Sequence, residues 1–189
     1  MTLVIGGLQG SGRSTFRKRA HEYGVRTADT YEIYMTGRLA HKVGYSRITG
    51  PHVNNNTESL INEYKDHMTF FVDEMVKDTE YEIYAVDPYF LDFLCDHRPE
   101  NYHLYLVTAD NDDAAQRIFN LESANDPRLV GKNNAYQLVK PEIMKELTSY
   151  DSLMASLESK VDTHIVNNGT LEQYHETIDN ILNEHNLLN

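Results

Sequence analysis

A glycine-rich stretch near the amino terminus constrains this chain more than any other segment. The sequence GLQGSGRS, Gly7 to Ser14, follows an apolar run from Leu3 to Ile5 and precedes a helical pattern. It matches the phosphate-binding loop pattern G-x-x-x-x-G-K-[ST], except that Arg13 stands at the lysine position. Glycines allow backbone angles that place successive N–H groups around an anion, and the following helix directs its positive end at the same point. The stretch therefore predicts a strand, an anion-binding loop and a helix, in that order.

The motif assigns separate tasks to the backbone and the side chains of this loop. The amides from Gly10 to Ser14, which include those of Ser11 and Gly12, are expected to hold the β-phosphate of a nucleotide, and the Ser14 hydroxyl is expected to bind Mg²⁺. A lysine is a compact point charge, whereas the guanidinium of Arg13 is longer, planar and bidentate. We therefore expect that arginine at this position preserves nucleotide binding better than it preserves catalysis. The alternative is that the loop has no catalytic role.

The charge balance disfavours two kinds of partner. The 189 residues include 17 Lys and Arg against 29 Asp and Glu, a net charge of −12. Because nucleic acids and anionic membranes bind basic surfaces, we expect neither as a partner. No apolar run reaches the length of a membrane span, no signal-peptide pattern is present, and the single cysteine, Cys95, fits a reducing compartment. A cytoplasmic protein with one domain over residues 1–189 is the expectation.

Short strand candidates alternate with helical patterns along the chain. The strand candidates are Thr2–Gly6, Val25–Ala28, Glu82–Val86, Tyr102–Thr108 and Thr163–Val166. The helical patterns cover residues 12–23, 30–43, 57–78, 89–96, 110–122, 140–159 and 170–187, and the polar segments 46–56 and 123–134 are predicted to be loops. This alternation predicts an α/β fold with a parallel sheet covered on both faces.

Two aspartates follow strand candidates and are candidate catalytic residues. In a phosphate-loop protein, Asp87 would lie beside the loop and hold the Mg²⁺ shell or orient the acceptor. Asp29 could accept a proton from an attacking hydroxyl, or bind the acceptor or the metal. Both also have a structural interpretation, because aspartate starts turns and caps helices.

Basic residues form two further candidate groups in this acidic chain. Arg117 and Arg128 lie in or beside a predicted lid at about residues 117–134, where cations could stabilise a transferring phosphoryl group. Arg38 and Arg47 lie in the segment 30–57, on the helix predicted after Asp29 and in the loop beyond it, and are candidate contacts to the acceptor. Solvated surface charge is the alternative for each group.

Taken in order, these features resemble the phosphate-loop kinases of the nucleoside monophosphate kinase type, a superfamily that includes dephospho-CoA kinase and small-metabolite kinases. The matching segments are the loop GGLQGSGRST (Gly6–Thr15), the strand end AVDPYF (Ala85–Phe90), HLYLVTADNDDAAQR (His103–Arg117), and VDTHIVNNGTLEQYHETI (Val161–Ile178). The loop match is specific, and the other segments gain weight from their order.

The resemblance implies a three-layer α/β/α phosphate-loop NTPase fold, with a five-stranded parallel sheet of order 2-3-1-4-5 and a lid. It also implies ATP with Mg²⁺ and γ-phosphoryl transfer to a small acceptor by a monomer or homodimer. The loop residues from Gly7 to Thr15 would bind the nucleotide, and the turn with Asn168 and Gly169 would lie near the adenine.

The identity of the acceptor stays open between two variants of this superfamily. In the nucleotide-kinase variant the acceptor is a phosphate bound by arginines after the second strand. In the dephospho-CoA-kinase-like variant it is a hydroxyl, as in other small-metabolite kinases, and Asp29 serves as base; TADTY (Thr27–Tyr31) and VNNG (Val166–Gly169) are similar to this variant. We favour a nucleotide or nucleoside kinase, with a nucleotide-binding regulatory protein without turnover as a third hypothesis because of Arg13.

Overall fold

The computed structural model describes residues 1–29, 44–46, 50–52, 68–69, 72–73, 75–76, 81–125 and 135–188. Residues 68–69, 72–73 and 75–76 are helical. The strands are β1 (Thr2–Gly7), β2 (Thr27–Asp29), β3 (Gly44–Ser46), β4 (Gly50–His52), β5 (Ile83–Val86), β6 (Tyr102–Thr108) and β7 (Thr163–Val166). The helices are α1 (Arg13–Glu22), α2 (Pro88–Asp96), α3 (Asn111–Asn125), α4 (Ala135–Thr148), α5 (Asp151–Glu158) and α6 (Leu171–Glu184).

Five parallel strands form the main sheet, in the order β2-β5-β1-β6-β7. Counted along the chain within this sheet, the order is 2-3-1-4-5, which confirms the predicted fold class. β1 is the central strand, and its end lies level with both neighbours: Gly6 pairs with Val86 of β5, and Gly7 pairs with Val107 of β6. The loop that follows β1 therefore starts in the middle of the carboxyl edge of the sheet.

The two faces of the sheet bury two separate apolar clusters. Leu3 and Ile5 of β1 pack on the face that α1 and α6 cover, whereas Val4 packs on the opposite face with residues of α2, α3, α4 and α5. This alternation follows from the period of two in a strand, and it leaves β1 with apolar side chains on both faces, as parallel strands require. In the described part of the chain, no helix combines the length and the apolar character needed to cross a lipid bilayer.

Most predicted elements exist, but several of their bounds differ from the prediction. β6 and β7 have the predicted bounds, whereas β2 starts at Thr27 rather than Val25. The Val25 N–H donates to the carbonyl of Ala20 at 3.2 Å, so Val25 belongs to the turn that caps the end of α1. The segment predicted to be one helix over residues 140–159 contains two helices. The first, α4, begins at Ala135, and the second, α5, begins at Asp151. Hydroxyls of Thr148 and Ser149 donate to carbonyls of the preceding turn and compete with the helix there.

A small antiparallel pair replaces part of the predicted loop at residues 46–56. β3 pairs with β4, with Tyr45 opposite Pro51, in a segment whose turn formers gave no strand signal. Helical residues, among them the buried Met68 and Met75, fit the helix predicted at 57–78. The helix predicted at 30–43 and residues 126–134 of the predicted lid lie outside the described residues.

Leu106, in β6, is fully buried and tests the central core. We expect Leu106→Ala to lower the free energy of unfolding by about 3 kcal/mol, because it removes apolar contact and leaves a cavity. Leu138→Ala is the control, because Leu138 is 77% exposed and the same change there should be worth less than about 0.5 kcal/mol. Urea denaturation of both variants measures the difference, and equal losses would contradict the assignment of the core.

Candidate phosphate-binding site

The loop between β1 and α1 fits its surroundings only with glycine at two positions. Gly10 has φ of 82°, and a Cβ there would lie 2.6 Å from the carbonyl oxygen of Ala114 in α3. Gly12 has φ of 114°, and a Cβ there would lie 2.4 Å from Nδ2 of Asn167. Both positions combine a left-handed backbone with close approach of a neighbouring element. The loop is therefore held tightly against α3 and the end of β7.

The amino terminus of α1 lacks a side-chain cap from the described part of the chain. Two other helices are capped: Asp87 accepts a hydrogen bond from the Phe90 N–H at the start of α2, and Thr170 forms a capping box with Gln173 at the start of α6. The first N–H groups of any α-helix have no partner within the helix, and the helix dipole places positive charge there. The start of α1 can therefore hold an anion.

Asp87 lies at the carboxyl end of β5, beside β1, and its carboxylate has two different oxygens. Oδ1 accepts the Phe90 N–H at 2.9 Å, whereas Oδ2 is buried without a hydrogen-bond partner among the residues that the structure describes. The residue is only 2% exposed. Burial raises the pKa of Asp87 to about 6, while the Phe90 N–H and the charge of Arg13 act in the opposite direction.

The guanidinium of Arg13 reaches from the first residue of α1 to the end of β5. Its Nη1 donates to the carbonyl oxygen of Val86, the residue before Asp87. The arginine at the lysine position therefore places its positive charge where it favours the ionised form of Asp87. The structure brings together two predicted site residues that are 74 positions apart in the sequence.

These residues fit the Mg²⁺ ion that the sequence motif implies. Ser14 lies exposed in the first turn of α1, and the unpartnered Oδ2 of Asp87 is a buried oxygen that a cation or its bound water would satisfy. No group of three or more His, Cys, Asp or Glu side chains suited to a metal exists within the described ranges. A site with few protein ligands suits Mg²⁺, which keeps water and substrate phosphate in its shell.

Arg117 contacts the backbone of the phosphate loop. Its Nη1 donates to the carbonyl of Gly10 at 3.2 Å and its Nη2 to the carbonyl of Asn167 at 3.0 Å. Two further donors that the sequence gave no reason to select join it: Asn167 Nδ2 donates to the Ser11 carbonyl, and the Tyr174 hydroxyl to the Gly12 carbonyl. The only sequence signals were an asparagine after a strand and a tyrosine on an apolar helix face, whose buried hydroxyl needs a partner.

The remaining predicted site residues lie in the turn before α6, in α1, at the end of β2 and outside the described residues. Asn168 and Gly169 lie in the turn between β7 and α6, where Oδ1 of Asn168 accepts the Asp110 N–H at 2.7 Å. Thr15 lies half-buried in the first turn of α1. The backbone of Asp29 pairs with Ala85 at the same edge of the sheet. Outside the described residues lie the side chain of Asp29 and the whole of Arg38, Arg47 and Arg128.

A cavity of about 390 Å³ lies beside the loop, between the ends of β6 and β7 and helix α5. Leu8 and Gln9 of the loop line it, together with the carboxylates of Asp110, Asp151 and Glu158. Neither Lys nor Arg occurs among the described residues that line it. Because these carboxylates repel anions, we place the phosphate site at the amides of the loop and not in this cavity.

Comparison with known proteins identifies the fold. No protein-family model matches this sequence, and neither does any curated protein. Shikimate kinase from Bacteroides thetaiotaomicron is similar in structure, with a TM-score of 0.58 and 14% identity over 97% of this chain and 98% of that chain. Shikimate kinase from Acinetobacter baumannii, in complex with shikimate, gives 0.54 and 13% over 97% and 93%. A sugar kinase from Janibacter gives 0.50 and 12% over 98% and 94%. The chain therefore has the fold of the phosphate-loop kinases.

Asp87→Asn tests the buried carboxylate. The pKa of Asp87 is about 6 in the folded protein against an ordinary value of 3.8, so the folded state binds more protons between these values and loses stability as pH rises through them. We expect Asp87→Asn to be more stable than wild type at neutral pH, by up to about 3 kcal/mol at about 1.4 kcal/mol per pH unit. This difference should shrink toward pH 4.

Denaturation by urea at a series of pH values measures this prediction. Asp96→Asn, the same change at an exposed residue of α2, is the control and should show no such pH-dependent gain. A stability difference between Asp87→Asn and wild type that stays constant from acid to neutral pH would contradict the burial argument.

Proposed function

We propose that this protein is an ATP-dependent phosphotransferase that moves the γ-phosphoryl group of Mg-ATP to a small-molecule acceptor. The observation that carries the proposal is that three features lie together at the carboxyl edge of the sheet: the amino terminus of α1, which no described side chain caps, the buried carboxylate of Asp87 and the guanidinium of Arg13. The helix terminus favours the anion, the carboxylate favours a cation, and the arginine adds a donor for phosphate oxygens. Phosphoryl transfer depends on this kind of positioning and charge neutralisation.

Each part of the site has a role in this proposal. The amides from Gly10 to Ser14 hold the β-phosphate, and Arg13 neutralises charge that develops on the transferring group. Ser14 and Asp87 hold Mg²⁺, which would supply charge neutralisation on the phosphates when bound. The turn with Asn168 and Gly169 contacts the nucleoside part of ATP. Arg117, in α3, and Arg128, which follows α3 in the sequence, add positive charge.

The acceptor would bind beside strands β5 and β2. Asp29 ends β2 at the same edge of the sheet as Asp87, and the segment with Arg38 and Arg47 follows it in the chain. With a phosphate acceptor these arginines bind it, and with a hydroxyl acceptor Asp29 serves as base. The names of the similar shikimate kinases and the sugar kinase indicate hydroxyl-bearing acceptors, so both classes belong in one test.

A second candidate function is nucleotide binding without turnover. It is favoured by Arg13, whose guanidinium is bound to the Val86 carbonyl beside Asp87. A guanidinium bound to this carbonyl could contact the phosphates of a bound nucleotide without staying in contact with the γ-phosphoryl group during its transfer. The acidic chain would then offer a protein partner a surface that changes with nucleotide state.

Turnover and binding measurements separate these two functions. Purified protein is titrated with ATP and Mg²⁺ by calorimetry and then assayed for ADP formation with a panel of nucleotides, nucleosides, dephospho-CoA, shikimate and simple sugars. We expect ATP binding and ADP formation that depends on one acceptor class. ATP binding without turnover on any acceptor would support the second function, and no ATP binding would sink both.

Gly10→Ala tests whether the loop is the phosphate site. The added Cβ would meet the backbone oxygen of Ala114 at 2.6 Å, so the loop must move, and we expect ATP affinity to fall at least about tenfold. Gly24→Ala is the control: Gly24 has φ of 81°, and no atom of the described residues lies within 4 Å of an added Cβ. It should cost about 1 kcal/mol of stability from backbone strain alone and leave ATP affinity unchanged. Equal ATP affinity in both variants would contradict the loop assignment.

Arg13→Lys separates charge from geometry at the lysine position. A guanidinium can donate to the Val86 carbonyl and a phosphate oxygen at once, whereas an ammonium on a shorter stem is a single point charge. We expect kcat to fall about tenfold with a smaller change in ATP affinity, because the missing contact would act in the transition state. A rise in kcat would instead indicate an impaired site in the wild type and favour the second function.

A further inference from the structure

Three successive carbonyls of the phosphate loop accept hydrogen bonds from side chains outside the loop. The Gly10 carbonyl accepts Nη1 of Arg117 at 3.2 Å, the Ser11 carbonyl accepts Nδ2 of Asn167 at 2.7 Å, and the Gly12 carbonyl accepts the Tyr174 hydroxyl at 3.2 Å. The donors come from α3, from the residue after β7 and from α6. We propose that Asn167 is the positioning residue that keeps this loop in its phosphate-binding conformation, with Tyr174 and Arg117 in support.

Peptide geometry explains what these bonds do for an anion. In a trans peptide, the carbonyl of one residue and the N–H of the next point to opposite sides of the chain. Holding the carbonyls of Ser11 and Gly12 toward Asn167 and Tyr174 therefore directs the N–H groups of Gly12 and Arg13 the other way. The Ser11 N–H closes the loop by donating to the Leu8 carbonyl at 3.2 Å. The side-chain contacts thus orient the amides that begin α1.

Asn167 is the member of this set that is fixed most firmly. It is 6% exposed, and its own N–H donates to the Thr108 carbonyl at 2.8 Å, which continues the pairing of β6 with β7. Its carbonyl accepts Nη2 of Arg117 at 3.0 Å. The short contact of its Nδ2 to the loop is thus made by a side chain whose backbone belongs to the sheet. Gly12 has no Cβ, and this leaves the space that the carboxamide occupies.

The side chain at position 167 must be a hydrogen-bond donor. The buried Ser11 carbonyl needs a hydrogen bond, and Asp has the size of Asn but would direct a carboxylate oxygen at that carbonyl. Tyr174 suits its supporting role, because burial raises the pKa of its phenol and the hydroxyl stays a donor at neutral pH. Asn167 acts through the loop and touches neither phosphate nor metal in this account, which rests on the proposed function for the identity of the anion.

The test compares Asn167→Asp with Asn180→Asp, the same substitution on the exposed surface of α6. Two properties are measured for each: hydrogen exchange of the amides from Gly10 to Ser14 in the ligand-free protein, and affinity for ATP and for inorganic pyrophosphate by calorimetry. Pyrophosphate reports on the loop alone, because it lacks the nucleoside.

We expect Asn167→Asp to speed exchange of the loop amides about tenfold, with β6 and β7 unchanged. Affinity for both ATP and pyrophosphate should fall about tenfold or more, as lost hydrogen bonding to a buried group predicts. In steady-state kinetics the effect should appear in KM for ATP more than in kcat. Asn180→Asp should match wild type in each measurement. Wild-type loop exchange and wild-type affinities in a folded Asn167→Asp would overturn the inference, and so would a loss of thermal stability with unchanged KM.

Tyr174→Phe tests the positioning of the loop by these side chains if Asn167→Asp does not fold. It removes only the hydroxyl bound to the Gly12 carbonyl and keeps the buried ring. Its loop exchange and pyrophosphate affinity should change in the same direction by several-fold, and no change would count against the network. Failure of the proposed function has a different signature: wild type would bind neither ATP nor pyrophosphate, while loop exchange would still respond to Asn167→Asp.

Discussion

The burial of β1 on both faces, with a parallel neighbour on each side, is the constraint on which the rest of the structure depends. Leu3, Val4 and Ile5 are fully buried, and the strand pairs with β6 from Thr2 to Gly7 and with β5 from Leu3 to Gly6. A strand held in this way cannot shift without breaking two hydrogen-bonded ladders and two apolar clusters. The residues that follow it, from Gly7 onward, are therefore delivered to one place at the edge of the sheet, and α1 starts there because the chain turns sharply at glycines.

The two carboxylate oxygens of Asp87 lie in different environments. One carboxylate oxygen caps α2, so the residue has a structural reason to be there. The other oxygen is buried without a partner among the described residues, which no capping role explains and which opposes folding at neutral pH. Groups that retain such an unfavourable state are typical of functional sites, where strain and burial are tolerated for the sake of binding or reaction.

The sequence predicted the sheet and the loop because both have short-range signals. Glycine spacing marks the loop, and runs such as Ile83–Val86 mark buried parallel strands. It did not predict the break at Ser149, where hydroxyls displace helix bonds within an otherwise continuous apolar pattern. It did not predict the contacts that Arg117 and Asn167 make with the loop, since their partners are backbone carbonyls 107 and 156 residues away. A carbonyl acceptor has no residue-type signature, so contacts of this kind become visible only when the fold is known.

The close contact of Gly10 with Ala114 gives α3 a mechanical property. The helix runs without interruption from this contact to Asn125, a distance of about 16 Å at a rise of about 1.5 Å per residue. Its near end cannot slide, because the loop backbone lies directly against it. A rotation of α3 by about 5° about its contact with Gly10 would displace the far end of the helix by about 1.4 Å over this length. A loop movement that rotated α3 about this contact would therefore also displace the far end of the helix.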